Sequence, residues 1–436
     1  MIKTRFAPVS LFLVMSIAAA HGQTAPDGPI TLEWCQAAAR NNYPAISKLS
    51  LIDRSEKLSL TAANTAWLPK ITLSGKITGQ SDATKIELAL PAPLPSPDLP
   101  QADTDQYQIA AEIAQTVWDG GLTAARKKAA RAASEADRTK VETTLYGLRS
   151  RVTAAYFGIL TVESQLEQNA LLREELAANR RRVEAWVTGG VATSGDLDAV
   201  RVEELSAEQT RINLYSARQS LLATLSLLTG SRFTGGERFS LPETAAEPEG
   251  IPTTHDWIAR PETAWFTALE RANDSQKAQL LAQAMPRLSA FAQAGYGKPG
   301  LNALDDDPSA FWIAGVRFSW SIDGFWSLPF TLAKVDADSA SIEADRDAFY
   351  RSVETEAAGK RAEIGRLEAL IAADARLLEL RERMKDAAKT KLESGTIGTV
   401  DYLREITAEA LARQAKALHE TQLLEARFAL GDTLNK

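Results

Sequence analysis

Side chains that could carry out catalysis or hold a metal are few in this sequence. It contains one cysteine, Cys35, and three histidines, His21, His255 and His419. No nucleophile with a positioned base and no glycine-rich phosphate loop is recognisable. The aspartates at residues 305–307 could attract a cation, but their spacing fits no calcium loop and favours a solvated loop. The sequence therefore predicts neither an enzyme nor a bound cofactor or metal.

The residues that do stand out lie in two similar turns rich in glycine and hydroxyl side chains. The first turn contains Gly189, Gly190, Val191, Thr193 and Asp196, and the second contains Gly395, Thr396, Ile397, Asp401 and Arg404. Glycine permits a sharp reversal of the chain. An aspartate just after a turn is a common helix start, because the helix macrodipole stabilises its negative charge. Each turn is therefore expected to join two helices.

The segments on both sides of these turns have the composition of very long helices. No proline occurs between Pro100 and Pro242, and none follows Pro329. A proline inside a helix costs about 3 kcal/mol, so its absence favours unbroken helices. We predict one helical hairpin over about residues 119–229 and a second over about residues 327–431, with Pro329 as a start signal. A helix of about 65 residues is roughly 100 Å long.

The two hairpins belong to an internal repeat. Gly190 and Gly395 lie 205 residues apart, and the aspartates of the two turns have the same spacing. A constant spacing argues for duplication. The repeats are predicted to cover residues 23–230 and 261–436, joined by an irregular crossover at residues 231–260.

Each repeat also contains a predicted pair of strands before its hairpin. Residues about 70–118 and about 287–321 show the alternation of apolar and polar side chains that is typical of a strand with one apolar face. A proline-rich loop at about residues 81–105 separates the first two strands. Each strand has about 11 residues, close to the length that crosses a bilayer. Four strands cannot close a membrane barrel, so a membrane-spanning sheet would have to be shared between subunits.

The N-terminus indicates where the protein is located, and the net charge bears on its partners. Residues 1–22 combine Lys3 and Arg5, an apolar stretch and a small-residue cleavage site, as in a secretory signal peptide. The apolar stretch is shorter than the about 20 residues of a membrane-spanning helix. The net charge of -7 provides no electrostatic footprint for nucleic acid.

Together these features resemble the TolC-type family of outer-membrane efflux and secretion channels. The resemblance rests on the signal peptide, the strand pairs, residues 117–121 (Val-Trp-Asp-Gly-Gly) at a strand-to-helix junction, the 205-residue repeat and the paired turns. It implies a mainly α fold with a small membrane β part. In such a homotrimer, a 12-stranded outer-membrane β-barrel continues as a periplasmic α-helical tunnel.

The resemblance also implies a function and partners. The chain is expected to be the outer-membrane exit duct of a tripartite efflux or type I secretion system. It would conduct substrates passively from an inner-membrane pump and a periplasmic adaptor to the outside. It would contact outer-membrane lipid but no nucleic acid.

Both turns receive roles from the resemblance. In this family they form the periplasmic tip where the adaptor docks. The matching residues are Gly189, Gly190, Val191, Thr193, Gly395, Thr396 and Ile397. The family closes its tip with acidic rings, and Asp196 and Asp401 match these positions, although helix capping is the alternative role. Arg404 stands where the family has a second aspartate, so Arg404 is expected to pair with an acidic neighbour in a different closing network.

Two other functions stay open on the residues alone. A periplasmic helical adaptor or scaffold also uses long helical hairpins. Such a protein is expected to carry one hairpin inside lipoyl-like and β-barrel domains, whereas this chain has two hairpins that each follow a strand pair. A helical secreted enzyme is the third possibility, and the sequence offers no catalytic set for it.

Overall fold

The computed structural model describes residues 28–82, 103–242, 260–302 and 307–435. The helices are α1 (Leu32–Asn42), α2 (Ser47–Asn64), α3 (Leu122–Thr188), α4 (Ser194–Thr229), α5 (Pro261–Gln283), α6 (Gly324–Glu393) and α7 (Thr399–Leu434). The strands are β1 (Lys70–Gly79), β2 (Asp105–Trp118), β3 (Arg287–Lys298) and β4 (Ser309–Ser319). The predicted signal peptide, His255, most of the proline-rich loop and most of the crossover lie outside the described residues.

The long helices α3 and α6 contain 67 and 70 residues. At 1.5 Å per residue, each is roughly 100 Å long. The helix α6 begins at Gly324, before the start that Pro329 suggests, so this proline lies inside the helix. The N–H groups of Phe325 and Trp326 donate to carbonyl oxygens three residues upstream. These two bonds form the first turn of α6 before the proline. Because proline has no N–H, the helix lacks one backbone hydrogen bond only in its second turn.

The helices pack side by side in an order that follows the strands. Nearer the sheet, the contacts give the order α2, α3, α5, α6, and nearer the turns they give α4, α3, α7, α6. The largest apolar cluster surrounds Tyr156 and Phe157 in the middle of α3, where α1 and the end of α4 also pack. Every residue of α2 and most residues of α6 are at least partly exposed. The single chain therefore has two open sides, one along α2 and one along α6.

The four strands form one antiparallel sheet in the order β1-β2-β3-β4. The pairing of β2 with β3 joins the two repeats in a continuous sheet. Within the described residues, β1 and β4 are the edge strands, each paired on one side. None of the helices described is apolar over enough of its length to cross a membrane.

Candidate functional site: the sheet and the two hairpin turns

One face of the sheet is apolar on all four strands. The antiparallel register places alternate residues of neighbouring strands on a shared face. Large apolar side chains of this face are Ile71, Leu73, Ile77, Tyr107, Ile109, Ile113, Leu288, Tyr296, Trp312, Val316 and Phe318. Leu73 is 74% exposed and Ile77 is 88% exposed. A continuous apolar surface of this kind requires an apolar environment, because leaving it in water forfeits about 25 cal/mol per Å².

The opposite face is polar and contains its own ion pair. Arg317 donates two hydrogen bonds of 2.9 Å to the carboxylate of Glu112. The guanidinium of Arg317 also lies 4.5 Å from the ring centre of Phe291. A Cβ on Gly295 would lie 2.4 Å from the ring of Phe311, so this glycine makes room for that aromatic side chain. Other polar residues of this face are Thr72, Ser74, Lys76, Gln106, Gln108, Ser289 and Gln293. This face is suited to water.

At the junction between β2 and α3, Asp119 caps the start of the helix. The carboxylate of Asp119 accepts hydrogen bonds from the N–H groups of Gly121 at 3.0 Å and Thr123 at 2.7 Å. It therefore caps α3, although Gly121 occupies the N-cap position. Gly120 has φ +69°, and a Cβ there would lie 2.4 Å from the Cβ of Met285. The glycine thus lets the start of the second strand pair pack against the end of the first.

In the first hairpin turn, the aspartate is bound to the helix start. Gly190 has φ +73° and open space around it, and Val191 is 77% exposed. The N–H of Asp196 donates to Thr193 Oγ1 at 3.2 Å, and the N–H of Thr193 donates to Asp196 Oδ2 at 2.9 Å. The Thr193 hydroxyl and then the Thr193 N–H lower the pKa of Asp196 below its ordinary value. Gly189 is the residue that ends α3.

The second hairpin turn has the same path but a weaker cap. Gly395 has φ +71° and open space around it. The residue before α7 is Gly398, which has no hydroxyl group, and its N–H lies 3.4 Å from Asp401 Oδ2. Arg404 Nη1 lies 3.5 Å from Asp401 Oδ1. Arg404 therefore pairs with the aspartate of its own turn.

The remaining two residues of the second turn differ in exposure. The hydroxyls of Thr396 and Ser394 share a 2.9 Å hydrogen bond at the surface. Ile397 instead packs against an apolar cluster that stabilises both turns. The buried members of this cluster are Leu176, Val183, Val200, Ala207, Ala388, Leu392, Tyr402, Leu403 and Ile406. Val191 is thus largely exposed at the tip, whereas Ile397 packs against the cluster.

A buried ionic cluster links the two hairpins, and sequence reasoning missed it. Lys385 Nζ on α6 lies 3.2 Å from Glu175 on α3 and 3.4 Å from Glu409 on α7. Glu409 has no exposed side-chain surface and also pairs with Arg413. Burial lowers the pKa of Lys385, but the two carboxylates outweigh it and raise that pKa. The partners are too far apart in the sequence for any local pattern to reveal them.

His419 is a second residue whose environment the sequence did not reveal. Its Nδ1 lies 2.6 Å from Asp374 Oδ2 on α6, and both side chains are largely buried. This pair joins α6 to α7. The described residues contain no group of three His, Cys, Asp or Glu side chains placed to hold a metal ion.

Residues 37–231 match the family model described as outer membrane efflux protein. The match covers the first repeat from within α1 to the start of the crossover, including the first hairpin turn. A search of curated proteins found no match to the chain.

Solved structures share the fold of nearly the whole chain. The outer-membrane channel OprN has a TM-score of 0.69 and 17% identity, over 92% of this chain and 89% of its own. CusC has a TM-score of 0.70 and 14% identity, over 92% and 91%. The open state of the MtrE outer membrane channel of Neisseria gonorrhoeae has a TM-score of 0.67 and 13% identity, over 95% and 93%. The family resemblance and the mainly α fold with a small β part are confirmed.

Proposed function

We propose that this chain is the outer-membrane exit duct of a tripartite efflux or type I secretion system. It passively conducts substrates that an inner-membrane pump and a periplasmic adaptor deliver. The observation that carries this proposal is the two-faced sheet: its apolar face suits lipid, its polar face suits a water-filled lumen, and very long helices continue from it. The sheet lies in the outer membrane, and the helices extend into the periplasm.

The edges of the sheet support a homotrimer. In lipid, each unpaired backbone N–H or C=O group costs several kcal/mol, so an open strand edge is not tolerated. The outer sides of β1 and β4 are such edges. Three copies with four strands each give about 12 strands, within the range of closed membrane barrels. The exposed sides of α2 and α6 lie below the same two edges, so one contact between subunits continues from the sheet into the helices.

We assign the two hairpin turns to the periplasmic tip. The docking surface for the adaptor consists of Gly189, Gly190, Val191, Thr193, Gly395, Thr396 and Ile397. The space around Gly190 and Gly395 supports this assignment, because it admits the close approach of a partner backbone. Asp196, Asp401 and Arg404 lie beside this surface and are the candidates for the gate.

The alternative function, a periplasmic adaptor or scaffold without a channel, accounts less well for the sheet. A protein that stays in the periplasm has no reason to expose an apolar face across four strands. The family model and the similar structures also describe efflux proteins and channels rather than adaptors.

The first test is the mass of the purified protein in detergent together with its single-channel conductance in planar bilayers. A trimer mass with discrete conductance steps is the expected result. A monomer that gives no conductance steps in any lipid would contradict the exit duct and favour a scaffold built from the two hairpins.

A pair of charge substitutions on neighbouring residues of β1 tests which face meets lipid. Leu73→Lys places a charge on the apolar face, where a lysine near the bilayer centre costs about 2–4 kcal/mol, so we expect a large loss of folded trimer in membranes. Ser74→Lys places the same charge on the polar face and should leave assembly intact. Equal yields of both variants in membrane fractions would contradict the proposed orientation of the sheet.

A further inference from the structure

The end of the sheet meets the helices around a cavity of about 540 Å³. Its walls come from the ends of β4 and α5, the start of β3, the start of α6 and one residue of α3. The polar residues that matter are Arg126, Arg287, Ser319, Ser321, Ser327 and Thr331. None of the residues that line this cavity is acidic.

The cavity opens on the polar face of the sheet. Arg287 lies directly opposite Ser319 in the register of β3 and β4. The next pair on the same face is Ser289 with Arg317, and Arg317 forms the ion pair of the polar face. Under the proposed function, Arg287 therefore faces the lumen where the barrel meets the helical tunnel.

The α6 residues of the cavity lie beside the end of α5. Gly324, Ser327 and Thr331 lie three to four residues apart, so they form one stripe of α6. This stripe shares the cavity with Gln283 and Ala284 of α5.

The positive charge of this cavity is not compensated by the residues around it. Among the described residues, neither Arg126 nor Arg287 has a carboxylate within ion-pair distance. A second cavity, of about 210 Å³ between α3 and α7, behaves differently. Its Arg149 lies 3.2 Å from Asp432, and its Arg260 lies 2.7 Å from Glu262. Of these two cavities, the one at the junction is therefore the one whose guanidinium groups have no carboxylate partner among the described residues.

We propose that the junction cavity is a lumenal binding station for oxyanions, meaning transported substrates that carry carboxylate or phosphate groups. Guanidinium groups bind such anions through charge-assisted, planar hydrogen bonds. The hydroxyls of Ser319, Ser321 and Ser327 supply further donors, and Gly324 brings the positive end of the α6 macrodipole to the wall. In the homotrimer, three copies form a positive ring that raises the local concentration of anions.

This inference rests on the proposed exit duct and adds a substrate class to it. The test uses the full-length trimer and citrate as the oxyanion. The cavity variant combines Arg126→Gln and Arg287→Gln. The control variant combines Lys128→Gln and Arg131→Gln, which remove the same charge from exposed positions of α3 outside the cavity.

Two measurements are made on each protein. Calorimetry on the detergent-solubilised trimer measures citrate binding without conduction, and planar bilayers measure channel block by citrate. We expect citrate to bind and block the natural protein and the control equally. The affinity of the cavity variant should fall by about tenfold or more for each arginine removed. Equal affinity in all three proteins, or an equal loss in the control, overturns the site.

The remaining outcomes distinguish a failure of the oxyanion site from a failure of the exit duct, and a transported oxyanion from a bound lipid headgroup. If the natural protein forms no channel, the exit duct fails, and calorimetry still decides whether the cavity binds citrate. Bilayers of phosphatidylcholine with and without phosphatidylglycerol distinguish a transported oxyanion from a lipid headgroup. If anionic lipid weakens citrate block in the natural protein but not in the cavity variant, a headgroup occupies the cavity, and its assignment to substrates is overturned.

Discussion

The two hairpin turns follow the same backbone path but hold their aspartates with different partners. Gly190 and Gly395 adopt nearly equal positive φ angles of +73° and +71°. Asp196 exchanges hydrogen bonds with the N-cap residue Thr193. Asp401 has only a 3.4 Å contact with an N-cap glycine and pairs with Arg404. The glycines thus preserve the turn, while the side chains that follow have diverged.

An aspartate in such a turn could both cap the helix and add negative charge to the tip, and the two turns differ in these roles. In the first turn, the carboxylate stabilises the helix start, and none of the described residues forms an ion pair with it. In the second turn, Arg404 neutralises the carboxylate and the cap is weak. In the trimer, the first turns would form an anionic ring and the second turns a nearly neutral one. Changes to the turns should therefore have unequal effects.

The largest expected effect comes from filling the space that both turns share. We expect Gly190→Trp or Gly395→Trp to abolish export while the trimer still assembles, because the indole blocks the docking surface. Dye accumulation in cells with the cognate pump measures export, and mass in detergent measures assembly. Gly190→Ala and Gly395→Ala are the controls, since alanine carries the same strain of about 1–2 kcal/mol at positive φ without the bulk. Normal export by both tryptophan variants would refute docking at the turns.

The next effect concerns the charge of the tip. Replacing both Asp196 and Asp401 with alanine should raise the conductance of the isolated channel and reduce its preference for cations. The single variant Asp196→Ala should account for most of the loss of cation preference, because Asp401 is already paired with Arg404. Reversal potentials in asymmetric KCl measure it. Unchanged conductance and selectivity in the double variant would leave both aspartates as helix caps.

A smaller effect concerns local stability. Asp196→Ala should destabilise the start of α4 by about 1 kcal/mol, the usual cost of losing a cap, and hydrogen exchange of the turn amides measures this. Because the pKa of Asp196 is lowered, its contribution is present at neutral pH and disappears as the pH falls below about 4. Asp401→Ala should change exchange at α7 less. Equal changes in both turns would show that the two caps are equivalent.

The smallest effect comes from giving the second turn the cap of the first. Gly398 has φ -85° and ψ 168°, which threonine adopts without strain, and a Cβ there would lie 4.0 Å from Asp401 Oδ2. Gly398→Thr should stabilise the start of α7 by a few tenths of a kcal/mol, at most about 0.5. Hydrogen exchange of the amides there should slow accordingly. Faster exchange would mean that the added hydroxyl does not accept from the Asp401 N–H.

The local elements of the fold were predictable from the sequence. The first hairpin was expected over about residues 119–229, and its two helices run over Leu122–Thr188 and Ser194–Thr229. The four strands match the alternating segments. Composition carries this information, since proline-free stretches propagate helices and alternation fits a half-exposed strand. The second hairpin was expected from about residue 327, close to the observed start of α6 at Gly324, and Pro329 lies inside this helix.

The candidate site was predictable in position but not in contacts. The sequence located both turns, yet it did not show that Ile397 would pack inward while Val191 projects. It also gave no sign of the Lys385 cluster or of the bond between His419 and Asp374. These contacts join residues on different helices, and the relative rotation of two helices depends on packing along their whole length.

By itself, the sequence determined the long helices, the alternating strands, the glycine turns and the duplication, because each depends on the preferences of neighbouring residues. Only the tertiary structure decided that β2 pairs with β3 across the repeats and that the four strands turn their apolar side to one shared face of the sheet. It also decided that Arg126 and Arg287 line one cavity. The physical reason is distance along the chain: residues more than a hundred positions apart meet only when the sheet and the helices pack together, and no local pattern encodes that meeting.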